Sequence, residues 1–508
     1  MPIHAESLQR QLTTAIRLHQ NGQIREAIRI HQALLKQFPG HPHILHLYGL
    51  ARQELGDLQG ALHLLSQAAA KEPDNRDFRL SLGFLLKLSG RSHAALACFR
   101  DLQHRHPDDA EISFHLGDTC MDLGEAEAAL APFRNAIRLQ PTFKEAWINL
   151  GLSLKGLGAV PEALHCFQQV IQAHPHCIEG YINLGMTHLL MGDYAEGWRA
   201  YEWRLQLTQQ AACIQWPPIL QGNPAPPRWD GTPLAGKSIL VVAEQGFGDI
   251  LQFVRYLLPL KSGGARILFS APPTLIPLLR RLPAIDDIRT PEQFTDAEEI
   301  DCHCPLLSLP LLFNTQLESV PAPIPYIQAD PELARQWAGR LRRGENVLVG
   351  LVWRGKPLHP NDPLRRRSCT LQDLAPLAQV AGVTWISLQQ EDGSSPPLQP
   401  PPGMAILDLR AALRDFAQTA AILDNLDLLI SIDTSVAHLG GALGKAVWLL
   451  LPIAPDWRWT LDQPRSPWYP DIPLFRQTVP HSWQEPLQAM AEALPSFVHT
   501  IQAGRPPG

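Results

Sequence analysis

Five glycines stand 34 residues apart in this chain, at Gly49, Gly83, Gly117, Gly151 and Gly185. A fixed period of that length restricts the fold more than any overall composition can. Two further rows keep the same phase. Ala61, Ala95, Ala129 and Ala163 follow the first four by twelve residues, and Pro73, Pro107, Pro141 and Pro175 by twenty-four. One period earlier the three slots hold Ala15, Ala27 and Pro39. Each unit reads as two antiparallel helices. Small residues let the backbones approach, large ones such as Leu150 and Phe167 fill the remaining space, and proline closes the second helix because it has no N–H to donate. Gly56-Asp57, Gly90, Gly124, Gly158 and Gly192-Asp193 mark the turns inside the units. A lone unit cannot bury its apolar face, so the units must stack into a solenoid with a concave groove.

The unit Trp147, Leu150, Gly151, Ala163, Phe167, Pro175 follows the tetratricopeptide pattern, with Leu154 in place of the usual tyrosine. Residues 1–211 are therefore expected to hold about six such units, a surface for a polypeptide partner. Gly197 replaces the alanine of the last unit, and Trp198, Tyr201 and Trp203 crowd its second helix, as if it docks on something.

At 508 residues the chain exceeds one core. Charged residues are 18% and the net charge is −6, without a basic stripe, so no nucleic-acid partner is expected. The N-terminal MPIHAESLQR lacks the layout of a signal peptide, and apolar stretches such as AVWLLLPIA are too short to span a bilayer, so a cytoplasmic location is expected. Eight scattered cysteines read as reduced thiols. Cys302-His303-Cys304 has no second cluster at zinc-like spacing, so no metal is expected.

The period ends in a proline-rich connector, 212–236. Apolar, β-branched runs then alternate with helical stretches: Ser238–Ala243, Arg266–Ser270, Val347–Trp353, Val383–Leu388, Leu426–Ile432 and Ala446–Leu451. This predicts a doubly wound α/β architecture in two Rossmann-like subdomains, 237–330 and 346–508, joined by a helix at 331–345. Two such halves facing a cleft form the GT-B arrangement of many glycosyltransferases.

Three segments carry polar chemistry at strand ends. Glu244, Gln245, Gly246 and Gly248 form a loop that opens a helix, where free amides and the positive dipole end face a ligand. Asp249 in that first turn reads either as a helix cap or as a base for an acceptor hydroxyl. Gln252 stands where a dinucleotide fingerprint needs its third glycine, which weighs against a nucleotide-dependent oxidoreductase. Asp433, Thr434 and Ser435 form a second strand-to-helix turn suited to a diphosphate, with His438 on the following helical turn. Arg354, Lys356, Arg365, Arg366 and Arg367 gather in the loop after a parallel strand, where phosphate could be neutralised, and Gln389 is a candidate nucleoside contact on the same edge. The aromatic segment Pro455–Tyr469 walls the cleft or packs the last helix across it.

The motifs EQGFGDILQFVRYL, VGLVWRGKPLHPNDPLRRRSCTLQDL and IDTSVAHLGGALGK followed by PDWRW resemble bacterial tetratricopeptide proteins with a heptosyltransferase-like domain of glycosyltransferase family 9. The resemblance implies an inverting, metal-independent transfer from a nucleotide-sugar, with no other cofactor. It makes Asp249 the general base and Asp433, Thr434 and His438 the donor-diphosphate motif. Lipopolysaccharide heptosyltransferases lack a repeat array, so a protein acceptor is implied, and similar fusions are implicated in glycosylating flagellin. O-GlcNAc transferases share the architecture and hold peptide backbones with an asparagine ladder. Here Asn149 and Asn183 fill equivalent slots, while Leu47, Ser81 and His115 occupy the earlier ones. Two alternatives stand beside this reading: a non-catalytic scaffold with a degenerate transferase domain, and a transferase acting on a lipopolysaccharide-type glycan.

Overall fold

The computed structural model describes residues 2–207, 214–222, 224–295, 299–321, 323–341, 344–355, 367–390, 397–461, 463, 465–480 and 482–504. The chain forms two compact bodies, Met1–Gly156 and Leu157–Gly508. The first contains nine helices among the described residues, from Pro2–Gln20 to Lys144–Gly156. The array's last three helices, Val160–Ala173, Ile178–Leu190 and Tyr194–Tyr201, belong to the second body.

The periodic glycines are small for a packing reason. A Cβ at Gly49 would stand 2.7 Å from Leu65, one at Gly83 2.6 Å from the Phe99 ring, and one at Gly117 2.7 Å from Phe133. Each glycine thus seats the large side chain sixteen residues on, which is fully buried. At Gly185 the neighbour is main chain, the Tyr201 nitrogen at 2.7 Å, and a Cβ at Gly197 would strike Leu189 at 2.6 Å. In the last helix pair the close approach at Gly185 is therefore to main chain rather than to a side chain. The turn glycines Gly56, Gly90, Gly124, Gly158 and Gly192 all have φ between +72° and +85°, a region that costs other residues about 1 kcal/mol or more.

A buried and a half-buried imidazole in the first body are expected to make it acid-sensitive. His31 is fully buried, and neither ring nitrogen has a hydrogen-bond partner. Burial, then the neighbouring His19, lowers His31 to about 4. Burial also lowers His46 to about 4, with Asp77 opposing and His43 adding to it. Unfolded histidine titrates near pH 6.5, so between there and pH 4 the unfolded chain binds more protons than the folded one. Stability is complete above that window and is lost as pH falls through it, by about 1.4 kcal/mol per pH unit for each such histidine. Hydrogen-exchange protection across residues 24–54, corrected for the intrinsic pH dependence of exchange, should fall between pH 7 and pH 5, and His31→Leu should shrink the difference. An unchanged difference in the variant would remove His31 as a source.

In the second body the strands are β1 (Ser238–Val242), β2 (Arg266–Ser270), β3 (Asp287–Arg289), β4 (Cys302–Pro305), β5 (Val347–Val352), β6 (Val383–Ser387), β7 (Ile406–Asp408), β8 (Leu428–Ile432), β9 (Val447–Leu451) and β10 (Leu474–Arg476). They form two parallel sheets, in the orders β3-β2-β1-β4 and β10-β9-β8-β5-β6-β7. The second is the dinucleotide-fold order, and both reverse direction beside their first strand. Strands β5, β8 and β9 are buried throughout, as a sheet covered on both faces requires. The architecture is a tetratricopeptide solenoid followed by a GT-B fold of two Rossmann-like subdomains. The joining helix spans Pro331–Arg340.

The array's end is built into this body. Trp198, Tyr194, Trp457, Trp468 and Phe253 form one aromatic cluster, with Trp198 edge-on to Trp457 at 5.3 Å. Trp198 Nε1 donates to Thr315 O, and Trp468 Nε1 to the Tyr194 hydroxyl. From the proline-rich stretch, Ile214 and Ile219 pack on Leu240, Val242 and Leu268 of the first sheet. No helix among the described residues is long and apolar enough to cross a membrane.

Candidate functional site

Strand β1 delivers its loop to the point where the first sheet reverses, and β5 and β8 do the same in the second. Gln245 sits at φ +63°, an uncommon position for a side-chain-bearing residue, and bends the chain into the helix Phe247–Phe253. Gly246 caps that helix, and its N–H donates to Asp249 Oδ2 at 2.9 Å. The other Asp249 oxygen pairs with Arg458, which is only 6% exposed on its side chain against 23% for Asp249.

Asp433 follows β8, Thr434 caps the helix Ser435–Ala442, and His438 lies on its first turn, 4% exposed. His438 Nε2 stands 3.6 Å from Asp433 Oδ1, and Nδ1 is 3.1 Å from the Tyr469 hydroxyl. Burial alone would raise the Asp433 carboxyl. The His438 hydrogen bond and charge, with Arg367 and Arg458, instead hold it below the usual carboxylate range.

These two motifs belong to different sheets, and they touch. A Cβ at Gly248 would stand 2.9 Å from the His438 ring and 3.5 Å from the Ser435 Cα. Only glycine brings the first loop this close to the second helix. Arg367 lies against Gly355, whose Cβ would meet its Nε at 2.8 Å, and Arg354 is exposed on the same turn. Arg367 and Arg458 thus lie within electrostatic reach of Asp433 in a half-exposed Asp433-Thr434-Ser435 turn that opens a helix. Lys356, Arg365 and Arg366 lie outside the described residues.

Several expected contacts have other work. Glu244, expected to face an acceptor, is buried in a bidentate pair with Arg204 at 2.8 and 2.9 Å and accepts the Leu307 N–H. Gln389, expected to meet a nucleoside, accepts the Trp353 and Arg354 N–H groups and donates to Arg354 O and Gln390 O. That uses its full hydrogen-bonding capacity and fixes the turn after β5. Asn149 donates to Asp118 at 3.3 Å in the first body, and Asn183 to the Glu179 carbonyl of its own helix in the second. Strand alternation puts Cys302 and Cys304 on one face of β4 and His303, which meets Pro226 O, on the other. Among the described residues no three His, Cys, Asp or Glu side chains converge as a metal site needs.

Arg458 is the residue that sequence reasoning missed. It donates to Asp249, Gln252 and Asp456, and its guanidinium lies 4.2 Å over the Trp457 ring. The hint was present in an arginine between two tryptophans, but its partners stand some two hundred residues earlier.

Two descriptions of the tetratricopeptide repeat match the chain, one over residues 12–76 and 89–142, the other over 53–114. Protein FlbA of Caulobacter vibrioides is 25% identical over 338 residues, 61% of this chain and 54% of its own length, so the chain spans about half of that relative. Among solved structures, MamA is 23% identical with a TM-score of 0.30, over 31% of this chain and 92% of its own. A tetratricopeptide protein from Parabacteroides merdae is 19% identical with a TM-score of 0.36, over 40% and 78%. The chain is a tetratricopeptide-repeat protein with a C-terminal α/β domain of two parallel sheets, distantly similar to FlbA.

Proposed function

We propose that the second body is a glycosyltransferase that moves a sugar from a nucleotide-sugar to a polypeptide acceptor brought by the repeat array. The observation that supports the reading is the Gly248–His438 contact, which sets a carboxylate from one sheet beside a strand-to-helix turn of the other whose free amides would suit an anion. Asp249 takes the proton of an acceptor hydroxyl, and that oxygen bonds to the anomeric carbon opposite the diphosphate. The carbon–phosphate-oxygen bond breaks and its electron pair leaves with the nucleoside diphosphate. A single displacement inverts the anomeric centre. Negative charge grows on the leaving group, so Ser435 and the amides of its helix start, with Arg354, Arg367 and Lys356, supply the main stabilisation. Tetratricopeptide arrays bind peptides or proteins, which favours a protein acceptor over a lipid-linked glycan.

The test is a panel of nucleoside diphosphates and nucleotide-sugars. A matching nucleotide at one hundred times its Kd should stabilise the second body by about 2.7 kcal/mol. Labelled sugar should then pass to protein. Neither a thermal shift nor transfer with any nucleotide would return the domain to a scaffold role.

A further inference from the structure

Trp457, Arg458 and Trp459 form one short turn, and their side chains go to three places. Trp457 packs on Trp198 and Tyr194 of the array's last helix. Trp459 lies over His438, with ring centroids 5.3 Å apart. Arg458, between them, reaches the helix that carries Asp249. Its Nη2 donates to Asp249 Oδ1, its Nε to Gln252 Oε1, and its Nη1 to Asp456 Oδ1 at 2.7 Å. The rigid fork of a guanidinium fixes direction as well as distance.

Asp249 is therefore held at both oxygens, by Gly246 N–H and by Arg458. Each carboxylate oxygen has two lone-pair sites, so each keeps one free of these bonds. The group can take a proton without releasing Arg458. The charges also close. Two carboxylates around one guanidinium leave a net negative charge, and when Asp249 is protonated Arg458 still has Asp456. Without Asp456, protonation would strand a nearly buried cation, which is costly.

We propose that Arg458 is the positioning residue of this site: it aims Asp249 into the cleft, and Asp456 supplies the counter-charge that lets Asp249 change protonation in place. What Asp249 then does rests on the transferase reading; the latch itself does not. The other groups in its field are Tyr201 and, through Glu244, Arg204 from the array's end, and His438, Asp433 and Arg367 from the second sheet.

Hydrogen exchange of the segment 244–253, corrected for its intrinsic pH dependence, tests the latch without any donor. In Arg458→Gln exchange should be about tenfold faster at pH 7. In Arg458→Lys it should be intermediate. On acidification the wild-type segment should lose protection as Asp249 is protonated. In Asp456→Asn that loss should occur at lower pH, because the remaining one-to-one pair resists protonation. A packing role alone would speed exchange without moving that midpoint. Unchanged exchange in Arg458→Gln overturns the positioning role, and an unmoved or raised midpoint in Asp456→Asn overturns the counter-charge. If sugar transfer is found, the acid limb of its pH–rate profile should move with the same sign. If exchange behaves as stated and no sugar is transferred, the transferase reading fails and the latch stands.

Discussion

Replacing Arg204 with leucine is expected to destabilise the second body by about 3–5 kcal/mol, the cost of leaving a buried charge without its partner. Arg204 is 1% exposed and the Glu244 side chain is wholly buried. Without the guanidinium, Glu244 keeps only the Leu307 N–H, while Glu202 retains Arg228 and Ser308. Burial opposes charge on Arg204, yet Glu244 and Glu202 hold its proton more firmly than in water, so the pair is a matched set. A double replacement, Arg204→Leu with Glu244→Leu, should recover much of the loss, because apolar groups of similar size often substitute for a whole buried pair at little net cost. Denaturant midpoints followed by tryptophan fluorescence measure both. A single variant within about 1 kcal/mol of the wild type would mean that the array's end is not anchored through this pair.

Asp249→Asn should lower the rate of sugar transfer by about 10²–10⁴-fold, the usual contribution of a positioned general base. The amide keeps the carboxylate's size and leaves one oxygen for Gly246 N–H or Arg458. Nucleoside diphosphate binding, read as a thermal shift, should therefore persist while kcat falls. Full transfer activity in the variant would end the assignment of Asp249 as the base. Lost nucleotide binding together with lost transfer would instead make it part of the donor site.

The period was the most legible part of the fold, because each glycine answers to a large side chain at a fixed offset, Phe99 for Gly83 and Phe133 for Gly117. Long apolar strands were equally plain: β5, β8 and β9 are buried on every residue, and such runs have few other uses. The short strands β3, β4, β7 and β10 gave no signal, since three or four residues, several of them half-exposed, carry no detectable alternation. The candidate site motifs could be read because polar residues gather at strand-to-helix turns, at Gly246–Asp249 and at Asp433–Ser435. Their partners could not. Glu244 and Arg204 lie 40 positions apart, and Arg458 and Asp249 lie 209 apart, so only the folded chain reveals that each is already engaged.

The paired glycines Gly185 and Gly197 give the array an unequal inheritance. In earlier units the two helices meet through side chains, Leu65, Phe99 and Phe133. The final pair meets main chain at Gly185 and carries Trp198 into the α/β core, so its sequence answers to the α/β half as well as to its neighbours. A swap of the first body for another array should therefore be tolerated if the join falls inside the fifth unit, near Gly156, and leaves the last three helices with the α/β half.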